Sequence, residues 1–126
     1  MISYFKLSYE ARSMVQNRNK FITLFIGNLS NAILHQILEQ SINDDTLTHR
    51  YHKESITSLA LAKKYRAKIH PLQSSLPESD STYVGQKILQ KVNVELHLRI
   101  SKGYRDIDLS LVEPSIDKAL RESKIL

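Results

Sequence analysis

The sequence contains no cysteine, and it has only three glycines and three prolines among its 126 residues. Without cysteine the chain cannot form disulfides, thiolate zinc sites or cysteine nucleophiles, and it suits a reducing compartment. All-β proteins need many turns, which are usually rich in glycine and proline, so the shortage of both favours a helical fold. Ordinary fractions of hydrophobic (41%) and charged (25%) residues argue against wholesale disorder.

Catalytic and metal-binding motifs are also missing. There is no glycine-rich phosphate loop, no serine nucleophile elbow and no convincing carboxylate pair. His49 and His52 are three residues apart, whereas metal-binding histidine pairs on helices usually use a spacing of four with further ligands. His35 and Glu39 have that spacing but lack the partners of a di-iron bundle, and we expect His35 to be hydrogen-bonded and partly buried. The sequence therefore favours a non-enzymatic protein without metal or cofactor.

The densest apolar segment runs from Lys20 to Ile42 and predicts a helix that is apolar around most of its circumference. Such a helix is usually buried among other helices, so we expect it to lie at the centre of the fold. Polar residues interrupt the segment, and no uninterrupted run reaches the roughly 18–20 residues of a membrane span. In an alternative interpretation, Phe21–Ile26 forms a β-strand that ends at Gly27, and a helix starts at Asn31.

That alternative is linked to a family resemblance. The hexamer Leu24–Leu29 resembles the first signature of the RNA recognition motif, and Lys102–Tyr104 resembles the beginning of the second. The second signature is incomplete because Asp106 and Leu109 occupy positions where this family carries aromatic rings that stack on bases. The resemblance implies an RNA-binding β-sheet that includes the strand.

Periodicity and punctuation predict further helices on either side of the core segment. Residues 3–16 form an amphipathic helix that either ends at the polar residues 17–19 or continues into the core helix. A third helical segment, residues 46–69, starts after Asp44 or Asp45 as the N-cap and ends at Pro71. A loop then reaches Thr82, and the last helix starts around residues 113–115, with a proline in its first turn.

Residues 82–112 allow two interpretations. Apolar residues at every fourth position predict a helix that starts near Thr82, is capped by one of residues 79–81 and ends before Gly103. Strict alternation over residues 92–100 and 107–111 instead predicts a β-hairpin. The sequence thus predicts a single mainly α domain, residues 1–126, built from four to five helices around the central apolar helix. The alternative is an α+β fold with a hairpin near residues 92–112.

The net charge of +5 is concentrated in one segment. Residues 46–70 contain six basic side chains and one acidic side chain, so this window alone carries the surplus. A basic helix attracts phosphates through counterion release. We therefore predict a nucleic-acid-binding or nucleoprotein-associated protein, with RNA or DNA left open, that contacts phosphates or another polyanion. The predicted contacts are Arg50, Lys53, Lys63, Lys64, Arg66 and Lys68.

Two other functions remain open at this point. Arg66 and His70 resemble the Arg–His pair of small helical ribonucleases of the HEPN family, although the spacing between them is one residue too short. A protein-interaction bundle, such as an adaptor or chaperone, is the main alternative. The apolar residues left over from the predicted core would then form a homo-oligomer interface; they are Tyr9, Tyr51, Val94 and Leu98. No secretory signal is recognisable, so we expect a cytoplasmic protein without a membrane partner.

Overall fold

The computed structural model describes residues 4–69 and 76–125, with side chains described from residue 17 onward. Within these ranges, the chain forms the α-helices α1 (Tyr4–Ser41), α2 (Asp45–Ile69), α3 (Glu78–Ser101) and α4 (Val112–Glu122) and the 3₁₀ turn Leu109–Leu111. No β-strand occurs in this part of the chain. The predicted mainly α fold is therefore confirmed, and the alternative with a hairpin near residues 92–112 is wrong.

The first helix, α1, is one continuous element of 38 residues, about 57 Å long at 1.5 Å per residue. The polar residues 17–19 do not interrupt it, because none of them is a glycine or proline and Arg18 forms an ion pair with Asp80 of α3. Residues 21–26 lie inside this helix, so the strand interpretation is wrong. The resemblance to the RNA recognition motif fails with it.

Contacts between the helices define an up-down-up-down bundle. Phe21 of α1 stacks with Tyr65 of α2, and His35, which comes later in α1, contacts Glu54, which comes earlier in α2. These two helices are therefore antiparallel. The helix α3 runs parallel to α1, because their first contact is the ion pair Arg18–Asp80 and the Asp108 amide beyond the end of α3 reaches Ser41. The last helix returns toward the end of α2, and α1 packs against each of the other three.

Among the described residues, α1 contributes more buried apolar side chains to the core than any other helix. Burying each large apolar side chain contributes about 1.5–3 kcal/mol to folding, and the other helices cover α1 with shorter stripes of the same kind. In α3 the buried residues recur at every fourth position, as the helical interpretation requires. The buried apolar residues are Ile22, Phe25, Ile26, Leu29, Ala32, Ile33, Leu34, Ile37 and Leu38 in α1, and Val84, Ile88, Val92 and Leu96 in α3.

The segment Asn17–Ser41 of α1 is long and apolar enough to cross a membrane by length and composition, and it is the one such segment in the described residues. Of its most apolar window, 61% is buried inside the bundle. The core helices of soluble proteins pass the same test, so the finding carries little weight by itself.

The start of α2 and the end of α3 lie where neighbouring residues in the sequence predicted them, whereas the start of α3 does not. Asp44 caps α2 as predicted, because its Oδ1 accepts a hydrogen bond from the Leu47 amide at 3.0 Å. Gly103 ends α3 as predicted, with a φ of +104° that glycine tolerates best. The start of α3 was predicted near Thr82 but lies four residues earlier, at Glu78. The predicted caps, residues 79–81, therefore lie inside the helix, and Pro77 occupies the N-cap position. Residues 70–75 of the predicted loop lie outside the described residues.

Candidate nucleic-acid interface

Five of the six predicted phosphate contacts are exposed on α2. At 3.6 residues per turn, Arg50, Lys53, Lys64 and Lys68 lie within about 60° of one another. We call these four residues the basic face; it extends for about 27 Å along the helix. Lys63 is also exposed, but it lies about 80° or more to one side of this face.

The charges of these five exposed residues are not neutralised by nearby acids. Among the described side chains, none of the five has a carboxylate partner within 4.0 Å. The ammonium of Lys68 lies 5.1 Å from the centre of the Phe21 ring, a contact that leaves its positive charge intact. Glu54, the acid within the basic segment, contacts His35 at 2.7 Å. The basic face is therefore available to an external anion.

Arg66 does not belong to this surface, and its predicted role as a phosphate contact has to be corrected. Its side chain is only 1% exposed. The Nε and Nη2 atoms donate to the carbonyl oxygens of Ser123 and Lys124, each at 2.9 Å. Burial lowers the pKa of Arg66, although a guanidinium stays protonated at neutral pH.

The position of Arg66 on the buried stripe of α2 was the sequence signal that it binds within the fold and not to phosphate. Ala62 and Ile69 flank Arg66 at spacings of four and three, and all three are buried. An arginine on that stripe needs partners from another element, which the end of α4 supplies. The Arg–His pair of the HEPN resemblance stays a prediction, because His70 lies outside the described residues.

Polar contacts between α1 and α2 include two histidine–glutamate pairs. His35 is buried as predicted, with Nδ1 2.8 Å from the Asn31 carbonyl oxygen and Nε2 2.7 Å from the Glu54 carboxylate. Because both partners only accept hydrogen bonds, both bonds form together only when both ring nitrogens carry a proton. Across the same helix pair, His52 Nδ1 lies 2.9 Å from Glu39 Oε1. No group of three candidate metal ligands occurs among the residues described.

Tyr51 belongs to the core rather than to a spare apolar surface. It is 7% exposed, and its ring lies 5.8 Å from the His35 ring. Burial raises the pKa of Tyr51, and Tyr104 raises it further through its charge and a hydrogen bond, whereas Arg99 lowers it. The prediction that Tyr51 is available for an oligomer interface is therefore wrong.

A groove of about 670 Å³ lies between α1 and α3. No sequence pattern predicted this groove, because it combines segments about 60 residues apart in the chain. Gly27 in the middle of α1 is the one local signal, since glycine weakens a helix interior. The lining residues are Gly27, Ser30, Asn31 and Leu34 of α1, and Lys87, Gln90, Lys91, Val92, Val94, Glu95 and Arg99 of α3.

Several apolar side chains of α3 face solvent. Val94 is 59% exposed and Leu98 is 45% exposed, which agrees with their prediction as residues outside the core. Tyr83, at 49%, lies on the same side of the helix. We call these three residues the apolar stripe. The side chain of Tyr9 lies outside the described residues.

The described surface thus offers a partner three features, which are the basic face, the groove and the apolar stripe. Comparisons with protein-family models, curated proteins and solved structures found no significant match to this chain. The function proposed below therefore follows from the side chains of this bundle alone.

Proposed function

We propose that this helical bundle is a non-enzymatic nucleic-acid-binding protein whose basic face contacts phosphates. The observation that supports this most directly is the exposure of four cationic side chains on one side of α2, with no carboxylate partner within 4.0 Å among the described side chains. Lys63 extends the positive surface to the adjacent side of the helix. No cofactor, metal or membrane forms part of this proposal, and we expect the protein to act in the cytoplasm.

The dimensions of the basic face suit a polyanion. Arg50 and Lys68 are separated by about 27 Å along the axis of α2. Duplex DNA presents one phosphate per ~1.7 Å of its axis, so an anionic strand can meet all four cations of the face. Binding of this kind is insensitive to sequence and weakens steeply with salt, because each neutralised phosphate releases condensed counterions.

A salt titration with a matched control tests this function. We expect the double variant Lys53→Ala/Lys64→Ala to flatten the plot of log affinity for duplex DNA against log salt by about 1.8, which is about 0.9 for each lost phosphate contact. Fluorescence anisotropy with labelled duplex DNA and RNA measures the slope and compares the two nucleic acids.

The control is Lys118→Ala/Arg121→Ala, which removes the same charge from exposed positions of α4. We expect its slope to match that of the wild type. An equal loss in both double variants would show a nonspecific effect of net charge, and an absence of binding at low salt would rule out the proposal.

A second function is favoured by the apolar stripe of α3. Exposed apolar residues aligned on one helix are typical of protein interfaces. In this alternative the bundle is an adaptor or chaperone, or a homo-oligomer, and its basic helix serves solubility. If this alternative holds, the protein should bind no nucleic acid, and its mass in solution should exceed that of one chain.

A further inference from the structure

The groove between α1 and α3 contains a glycine that packing does not require. Gly27 lies in the interior of α1, where glycine destabilises a helix relative to alanine. A Cβ atom built at Gly27 would meet nothing within 4 Å. The residue therefore leaves open space at the groove, which a ligand can occupy.

A second feature of the groove is an unsatisfied hydroxyl. Ser30 is 6% exposed and lines the groove close to Gly27. Its Oγ atom has no hydrogen-bond partner among the described residues. A buried hydroxyl left unpaired is unfavourable, but the Oγ atom is itself shielded from the groove, so it marks imperfect packing in the groove wall and not a ligand contact.

The third feature is the positive charge on the α3 side. Lys87, Lys91 and Arg99 line the groove together with one acid, Glu95. Arg99 Nη1 lies 3.0 Å from the Glu95 carboxylate, so these two charges compensate each other. Neither lysine has a carboxylate partner within 4.0 Å among the described side chains. Lys87 Nζ lies 5.8 Å from the centre of the Tyr83 ring, which is half exposed.

We propose that this groove is a second phosphate site, one that seats a short segment of single-stranded nucleic acid. This inference rests on the proposed nucleic-acid binding and assigns a strand preference to it. Lys87 and Lys91 contact phosphates of the strand, a nucleotide occupies the open space at Gly27, and the Tyr83 ring stacks on a neighbouring base. Proteins that bind single strands combine positively charged grooves with aromatic rings in this way.

The size of the groove supports a single strand over a duplex. Its volume of about 670 Å³ falls within the ~300–1,000 Å³ of typical small-ligand sites. A nucleotide of a flexible single strand can turn into such a groove. A duplex holds its bases inside a stiff rod, so its nucleotides can enter only after unfavourable unstacking. The basic face, in contrast, accepts either form.

A variant that fills the groove tests this assignment. We expect Gly27→Leu to weaken binding of a labelled six-nucleotide uridine or thymidine strand about tenfold, as the loss of one stacked nucleotide predicts. Affinity for a duplex should change less than twofold. Gly27→Ala is the control, since it makes the same helix more stable and fills little of the groove. Lys87→Ala/Lys91→Ala should weaken binding of the strand in the same way.

The results separate the groove from the basic face. If Gly27→Leu binds the strand as Gly27→Ala does, while Lys53→Ala/Lys64→Ala loses affinity for duplex, the groove assignment is wrong and the proposed function stands. If single strand and duplex weaken equally in Gly27→Leu, strand selectivity is wrong. A free mononucleotide that binds Gly27→Ala but not Gly27→Leu, without any binding of strands, would make the groove a nucleotide site and overturn the assignment. Absence of all binding would remove both proposals.

Discussion

The guanidinium of Arg66 attaches the end of α4 to α2. Its Nε and Nη2 atoms donate to the carbonyl oxygens of Ser123 and Lys124, which the end of the helix would otherwise leave unsatisfied. Lys124 adopts a φ of +56°, the left-handed conformation that turns the chain at this point. Ile125 then becomes buried, at 1% exposure. Arg66 thus satisfies carbonyl oxygens at the end of α4 and holds in place the segment whose Ile125 packs into the core.

Replacement of Arg66 should strongly destabilise the folded protein. We expect Arg66→Ala to lower the free energy of unfolding by about 3 kcal/mol, because charge-assisted hydrogen bonds are lost and buried carbonyl oxygens remain unpaired. Urea denaturation followed by circular dichroism measures the change. Lys63→Ala, which removes an exposed cation three residues away, is the control and should change stability by less than about 0.5 kcal/mol. Equal effects of the two substitutions would contradict the capping role.

The raised pKa of Tyr51 predicts that the stability of the protein depends on pH. The pKa of Tyr51 is raised above 10.0 in the folded protein, so the unfolded chain releases this proton at lower pH than the folded chain does. The stability linked to Tyr51 is therefore complete below pH 10 and is lost as the pH rises through the pKa of the folded state.

We expect Tyr51→Phe to lose less stability than the wild type between pH 9 and 11, because phenylalanine has no proton to release. Denaturation midpoints across this range give the comparison, with Tyr83→Phe as the half-exposed control. A wild-type curve parallel to that of Tyr51→Phe would contradict the shift.

At the scale of the element, the two patterns in residues 92–100 competed, and the helical pattern prevailed. The helix buries Val92 and Leu96 against the core. Val94 and Leu98, which the strand pattern would place on the same face as these two, remain exposed. A lone hairpin has too few partners to be stable, whereas a helix satisfies its own backbone and needs one buried stripe.

Two glycines in helical surroundings should respond to alanine in opposite directions. Gly103→Ala should lower the free energy of unfolding by about 1–2 kcal/mol, since its φ of +104° is unfavourable for residues with a Cβ. Gly27→Ala should raise it by about 0.5–1 kcal/mol, because α1 gains propensity and the added methyl group meets no atom within 4 Å. Chemical denaturation measures both. Destabilisation by Gly27→Ala would show that the glycine serves packing rather than the groove.

At the scale of the whole molecule, the basic face and the apolar stripe lie on different helices. The window of residues 46–70, which contains nearly all of α2, carries the whole net charge of +5, while the apolar stripe lies on α3. The groove lies beside α1, which packs against both of these helices. A polyanion on the basic face and a second protein chain on the apolar stripe would contact different helices, whereas a strand in the groove would share Val94 and Tyr83 with such a chain.

The apolar stripe predicts a change in mass if the bundle self-associates. In that case, Val94→Gln/Leu98→Gln should shift the protein toward the 14.5 kDa of one chain, because the interface loses its apolar area. Light scattering over a range of concentrations measures the mass. Ile56→Gln, an exposed apolar position of α2, is the control and should leave the mass unchanged. A wild-type protein that stays monomeric at every concentration would contradict the homo-oligomer.

The amino-acid sequence by itself determined what depends on near neighbours in the chain. Helical periodicity, the Asp44 cap and the stop at Gly103 each involve residues only a few positions apart, so all three were predictable. Only the tertiary structure decided the role of Arg66, the burial of Tyr51 and the groove beside Gly27. These features depend on which distant elements pack together, and on which side of each helix the packing falls. A cation on a helix has the same local pattern whether it faces solvent or the carbonyl oxygens of another helix.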